Sequence, residues 1–318
     1  MIWQATAPGK IILFGEHAVV YHRPAIAVPV ADVRATATLQ PAQPGERFKI
    51  VAPDLNREYF LPQAGTDDPL ATIIHLTLQH LRQTGLPAAT LTVYSTIPLG
   101  RGLGSGAAIS TAMARVLGQY FDQTLSPAEL STLVYEVEKI YHGTPSGIDN
   151  TVVAFEQPVY FIKGRPIQRL AVGQPFTLVI GDTGRVAPTH QVVGDLRQRR
   201  QAEPELYEGY FDEIGAIAAQ ARLAVEQELF PLAAIGNLMN QNQELLERIG
   251  VSSPELERLI AAARQAGALG AKLSGAGWGG NMIALVSPET ATAVAQALTR
   301  AGAAGVLVTE VRQTAGRN

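Results

Sequence analysis

The 318-residue sequence contains no cysteine. Disulfide staples, thiolate nucleophiles and cysteine-ligated zinc are thereby excluded. Charge is scarce as well: charged residues are 17% of the chain, and 25 Lys and Arg against 28 Asp and Glu leave a formal net charge of −3. With no excess of either sign there is no general attraction to nucleic acid or to an anionic membrane, so neither is an expected partner. Any polyanion must be held by a local site. Long apolar runs are missing too. The stretch from Ala25 to Val33 is broken by Pro29 and Asp32 and is too short to span a bilayer. The first ten residues carry no basic segment ahead of an apolar one, so no secretory signal is expected and a cytoplasmic location is.

What is present is apolar: 47% of residues, enough for two domains with their own cores. Alternation predicts a strand over 26–40 and another over 88–97. Between them Leu70, Ile73, Ile74, Leu78 and Leu81 give 67–84 a helical period, closed by Gly85. A small-residue helix is expected over 105–121. Ser126, Pro127 and Glu129 form a capping box with proline at the first helical position, starting a helix that runs to His142 and stops at Gly143. Short strands are expected near 150–155, 158–162 and 176–181. Helices follow at 189–202, 204–229, 231–249 and 253–266, then a glycine-rich loop at 274–280, a strand at 281–286, a helix at 289–301 and a strand at 304–309. Strands and helices are mixed without strict alternation, which favours an α+β fold. A composition shift near Val172–Pro175 divides residues 1–172 from 173–318.

Three segments carry chemistry. The strongest is Pro98-Leu-Gly-Arg-Gly-Leu-Gly-Ser-Gly-Ala-Ala-Ile-Ser110, with glycines at 100, 102, 104 and 106 between a predicted strand and a predicted helix. Such a loop brings backbone N–H groups close to phosphate oxygens, and the helix behind it adds unpaired donors. A flexible surface turn is the alternative, but a turn does not require four glycines. The second, Pro8-Gly-Lys-Ile-Ile-Leu-Phe-Gly-Glu-His-Ala-Val-Val-Tyr21, puts Lys10 before an apolar strand and Glu16-His17 at its end. Alone, it also reads as an exposed lysine and a surface His–Glu pair. The third, Lys272-Leu-Ser-Gly-Ala-Gly-Trp-Gly-Gly-Asn-Met-Ile-Ala-Leu285, again sets glycines before a strand.

Together, in this order and at this separation, the three resemble the signature motifs of the GHMP kinase superfamily, from Ala7 to Leu285. The stretch Glu138-Lys-Ile-Tyr-His-Gly-Thr-Pro-Ser-Gly-Ile-Asp-Asn-Thr151 looks like the mevalonate kinase branch. The resemblance implies a two-domain α+β kinase, with an N-terminal ribosomal-protein-S5-like domain (1–172) and a C-terminal ferredoxin-like α/β sandwich (173–318). It implies ATP and Mg²⁺ as cofactors, mevalonate as substrate, and it allows a homodimer. It assigns Asp149 as the group that takes the hydroxyl proton and Lys10 as its cationic neighbour. Glu16 and His17 would join Lys10 and Asp149 as substrate contacts. Pro98, Gly100, Gly102, Leu103, Gly104, Ser105, Gly106, Ala107 and Ala108, with Gly275, Ala276 and Gly277, would hold the nucleotide.

Glu138 would ligate magnesium; read by itself, it is a solvated helix carboxylate, and Asp149 a turn former beside Gly147. Thr189 matches a catalytic-loop threonine of the family and equally reads as an N-cap for the next helix. Two departures stand out. Gly106 replaces the family's second, metal-binding serine, leaving Ser105 or water to take its place. Trp278 stands where glycine is frequent, and a path with φ > 0 would strain it; alternatively, its ring covers the site. A phosphorylated acceptor would need basic groups, for which Arg185, Arg197, Arg199 and Arg200 are candidates.

Overall fold

The computed structural model describes residues 1–43, 45–98, 100–142, 145–186, 188–229 and 231–313. The chain begins with β1 (Trp3–Phe14), β2 (Ala25–Pro41), β3 (Lys49–Ala52), β4 (Arg57–Phe60), α1 (Pro69–His80) and β5 (Ala89–Ser95). Three helices follow, α2 (Ser105–Tyr120), α3 (Pro127–His142) and α4 (Ile148–Phe155), then β6 (Val159–Phe161), β7 (Gln168–Arg169) and β8 (Phe176–Asp182). Four more helices are α5 (Thr189–Ala202), α6 (Pro204–Val225), α7 (Leu232–Arg248) and α8 (Pro254–Gln265). The last elements are β9 (Gly270–Ser274), β10 (Asn281–Val286), α9 (Ala291–Arg300) and β11 (Gly305–Val311). The mixture is α+β, as expected.

Two compact units arise, each discontinuous in sequence: residues 1–9, 31–99 and 104–156, and residues 10–30, 100–103 and 157–318. In the first unit strands run in the order β4-β3-β5-β2, with β3 and β5 parallel and the other pairs antiparallel. Leu39 faces Leu91, and Leu91 faces Ile50, so alternate residues form one apolar layer. Helices α1, α2, α3 and α4 pack together beside it. Helix α2 is buried along most of its length from Ala107 to Gly118, because Ala, Ser and Gly let neighbouring helices come close. The capping box at the start of α3 is in place: the Ser126 N–H donates to Glu129 Oε2 (2.8 Å) and the Glu129 N–H to Ser126 Oγ (3.3 Å).

The second unit holds an antiparallel sheet in the order β11-β8-β10-β9. Helices α8 and α9 pack on it, α7 lies against β9, and α6 against α7. Strand β10 is central and buried throughout, which explains its unbroken apolar run Met282–Val286.

Five expectations need correction. Residues 148–155 form a helix, not a strand; Gly147 caps it in the left-handed region (φ 91), and its apolar residues pack on α2 and α3. Lys10 lies within β1 rather than before it. Strands β3, β4, β7 and β9 have no counterpart among the expected strands. Helix α1 stops at His80, because Arg82 turns left-handed (φ 53) and the Gln83 N–H closes the end on Leu78 O (2.9 Å), so Gly85 plays no part. Thr189 is the first residue of α5 and Pro188 occupies the cap position, so Thr189 is not the N-cap. The predicted stop at Gly143 lies outside the described residues. Among the described residues no helix is long and apolar enough to cross a membrane.

Candidate active site

The second unit brings together parts of all three glycine-bearing segments, residues 10–21, 100–103 and 272–285. Lys10 is buried in β1, and its N–H donates to Leu103 O (2.9 Å), fixing the strand to the start of the 100–106 loop. Ser274 Oγ accepts from the Ile12 N–H (3.1 Å) and donates to Ile12 O (2.9 Å), which ties β1 to the end of β9. Asn281 donates to Arg101 O, and Arg101 pairs with Asp182 at 3.1 Å. The Thr183 N–H and hydroxyl both donate to Gly280 O (2.9 Å each). Segments far apart in sequence thus form one polar scaffold.

Beyond β1 the chain turns sharply. Gly15 has φ +92, and a Cβ there would meet Ala25 Cα at 2.5 Å, so only glycine fits. The Ala18 N–H then donates to Glu16 O (2.7 Å) across His17, whose φ 62 and ψ −49 close a γ turn of the strained hand. His17 Nε2 faces Ala276 O at 2.9 Å. A carbonyl only accepts, so Nε2 carries the proton and Nδ1 is left with its lone pair. Burial lowers the His17 pKa to about 4, so the ring is neutral at pH 7.

Glu16 is fully buried and accepts from Lys272 Nζ, which also donates to Leu273 O (2.6 Å). Burial holds the Glu16 carboxyl above its ordinary pKa although Lys272 and Lys10 pull it down, and burial lowers Lys272. Removing one partner of such a pair strands a buried charge, at a cost of about 3–5 kcal/mol. Lys272 received no role in the sequence reading. Its signal was a lone lysine amid the apolar residues of 268–273.

The loop 100–106 shows why its glycines are there. Gly100, Gly102 and Gly104 have φ of 67, 82 and 73, alternating with residues of negative φ. Alternation of this kind is the backbone pattern of an anion-binding nest. Gly104 caps α2 with no side-chain hydrogen bond, leaving the first N–H groups of Ser105, Gly106 and Ala107 to a ligand. The other glycine loop is equally left-handed: Gly275, Gly277, Trp278, Gly279 and Gly280 all have positive φ. Trp278, at φ 55, is held there by two bonds to the turn after α7, from its N–H to Val251 O (2.8 Å) and from Nε1 to Gly250 O (3.0 Å). The conflict foreseen for this residue is real, and the turn at 250–251 compensates it.

The remaining site candidates Pro98, Gly104, Ser105, Gly106, Ala107, Ala108, Glu138 and Asp149 belong to the first unit. Asp149 is half-buried in the first turn of α4, where the unpaired N–H groups favour an acidic side chain. Its neighbour Asn150 locks the helix in place, donating to Ser131 O and Ser131 Oγ on α3 (both 2.9 Å). Glu138 is buried on α3, not a solvated carboxylate. Among the described residues no three acidic or histidine side chains cluster as a metal site. A magnesium ion shared with phosphates asks for only one or two protein oxygens, and a buried carboxylate such as Glu138 is of the right kind. Three of the four candidate arginines are paired with acidic side chains: Arg185 with Glu255 (2.6 Å), Arg199 with Asp195 (2.8 Å) and Arg200 with Glu208 (2.6 Å).

Family models for the GHMP kinases N terminal domain and the GHMP kinases C terminal match residues 71–157 and 225–304. The mevalonate kinase of Thermococcus sibiricus is 36% identical, over 94% of this chain and 93% of its own length. That of Pyrococcus abyssi is also 36% identical, over 97% and 98%. The chain belongs to the GHMP kinases. Among solved structures of this family, L. major mevalonate kinase in complex with R-mevalonate superposes with a TM-score of 0.83 at 30% identity, over 98% of this chain and 97% of its own. The Methanococcus jannaschii mevalonate kinase gives a TM-score of 0.83 at 25% identity, over 99% and 98%. The two-domain GHMP kinase fold is therefore the fold of this chain.

Proposed function

We propose that this chain transfers the γ-phosphoryl group of ATP to the 5-hydroxyl of mevalonate. The observation that carries the reading is the meeting of the Lys10 strand, the 100–103 segment and the 272–281 loop in one unit of a chain 36% identical to mevalonate kinases. Phosphoryl transfer asks a protein mainly for positioning and charge neutralisation. Asp149 takes or orients the proton of the acceptor hydroxyl, and Lys10 offsets the developing charge. Gly100, Gly102 and Leu103 with the first turn of α2 cradle phosphates, and Pro98 and the Gly275–Gly277 segment flank the nucleotide. Glu138 and Ser105 would hold Mg²⁺, which when bound screens the phosphate oxygens. His17 supplies a neutral hydrogen-bond acceptor on the acceptor side, with Glu16 behind it. Thr189, at the start of α5, joins the same loop chemistry.

The pairing of these arginines with acidic neighbours favours an acceptor without a phosphate. The linear division into 1–172 and 173–318, a cytoplasmic location, a homodimer and independence from nucleic acid belong to the same proposal. The test is ADP release with ATP, Mg²⁺ and, in turn, mevalonate, phosphomevalonate, homoserine and galactose. Mevalonate is expected to be the preferred acceptor by at least about tenfold in kcat/KM, roughly 1.4 kcal/mol. Preference for any of the other three would overturn the reading.

A further inference from the structure

The γ turn at His17 is a conformation that persists only where its surroundings over-determine it. Two buried contacts do so here, Lys272 to Glu16 on one side and His17 Nε2 to Ala276 O on the other. The Lys272–Glu16 pair is an odd choice for stability alone. Both side chains are fully buried, and Glu16 Oε2 has no hydrogen-bond partner among the described residues. An apolar pair of the same volume would hold the segment as well. The ionic pair nevertheless offers something an apolar one lacks, a fixed direction: Lys272 is itself anchored on Leu273 O (2.6 Å), so the Glu16 carboxylate has one place to go. The residue next to it is then forced through the strained turn.

We propose that Lys272 is a positioning residue, which through Glu16 holds the turn at His17 and so aims the unprotonated Nδ1 of His17 at a hydroxyl of the acceptor. The hydroxyl rests on the kinase reading; the holding of the turn does not. With Nε2–H committed to Ala276 O, Nδ1 is an acceptor only, and it selects a donor such as an alcohol O–H over a carboxylate or phosphate oxygen. Lys272 touches no reacting atom in this scheme. Its effect reaches the substrate through the direction of a neighbouring ring.

The experiment is histidine-edited NMR on the full chain, with acceptor kinetics, for Lys272→Met/Glu16→Leu and for Glu16→Gln. In the parent, His17 should titrate at about 4 as the Nε2–H tautomer. In the double variant the thermal midpoint should stay within a few degrees of the parent. The tautomer signature should be lost, the titration should move up toward about 6.5, and the KM for mevalonate should rise about tenfold or more, with a smaller change in kcat. If the midpoint holds while His17 keeps both its tautomer and its low titration, the pair is a packing element and the proposal is overturned. Should the double variant fail to fold, Glu16→Gln decides. It keeps the shape and removes the charge, so the same loss of tautomer is expected and unchanged histidine signals overturn the proposal. Absence of mevalonate turnover in the parent would remove the kinase reading alone, because the histidine signals report on the turn without any substrate.

Discussion

Gly102→Ala separates the conformational duty of a glycine from its service to a ligand. Gly102 is exposed, has φ +82, and an added Cβ would meet nothing closer than Ser274 O at 3.9 Å, an ordinary contact. The cost to folding is therefore the left-handed backbone alone, roughly 1–2 kcal/mol for alanine. In a protein of this size that lowers the thermal midpoint by roughly 1.5–3 °C. If the loop cradles phosphate, the same Cβ fills the space through which phosphate oxygens reach the backbone N–H groups. ATP affinity should then fall about 10- to 100-fold, or about 1.4–2.8 kcal/mol, out of proportion to the loss of stability. Calorimetric titration with ATP and Mg²⁺, paired with a thermal melt of the same sample, reads both numbers. Gly277→Ala is the contrasting case. Its Cβ would lie 1.9 Å from Val251 O at a φ of +87, so backbone must move and stability should fall by about 3 kcal/mol or more. Gly102→Ala protein that melts slightly early yet binds ATP within about twofold of the parent would refute the cradle.

Asp149→Asn should reduce kcat by about 10²- to 10⁴-fold with little change in KM for mevalonate, read by ADP release; near-normal turnover would remove Asp149 as the base. Glu138→Gln should shift the magnesium titration of activity to higher concentration, and an unmoved titration would take Glu138 out of the metal site. Acid stability offers a test outside the site. Burial raises the Asp68 carboxyl, but hydrogen bonds from Tyr59, Arg57 and the Leu70 N–H outweigh it and hold the pKa below its ordinary 3.8. A depressed pKa contributes stability above the unfolded value and loses it as pH falls through the folded one. Asp68→Asn should therefore lower the melting temperature at pH 7 and narrow the gap from the parent below about pH 4. A gap that widens in acid would contradict this.

Much of the fold was legible because local signals agreed with tertiary ones. The Ser126–Glu129 box marked the start of α3, and alternation marked β2 and β5 within two residues of their ends. Failures have particular causes. Half of Ile148–Phe155 is β-branched (Ile148, Thr151, Val152 and Val153) and the segment reads as a strand, yet Gly147 starts a helix there and packing on α2 and α3 overrides propensity. Strand β9 is short and opens on small residues, so its own sequence says little; β10 supplies the pairing. At the site, glycines were informative because left-handed backbone leaves a mark on sequence. Glu16 was seen but not its partner, since Lys272 lies 256 positions away. No local pattern reveals that separation.

Trp278, held left-handed against Gly250 and Val251, has a practical consequence. The chain contains two tryptophans, and the other, Trp3, stands edge-on to Tyr120 with ring centroids 4.8 Å apart. Substituting Trp3 by phenylalanine leaves a single tryptophan, inside the second glycine loop, that can be excited apart from the tyrosines. Its emission then becomes an optical gauge of that loop, readable in real time during turnover and needing no attached dye.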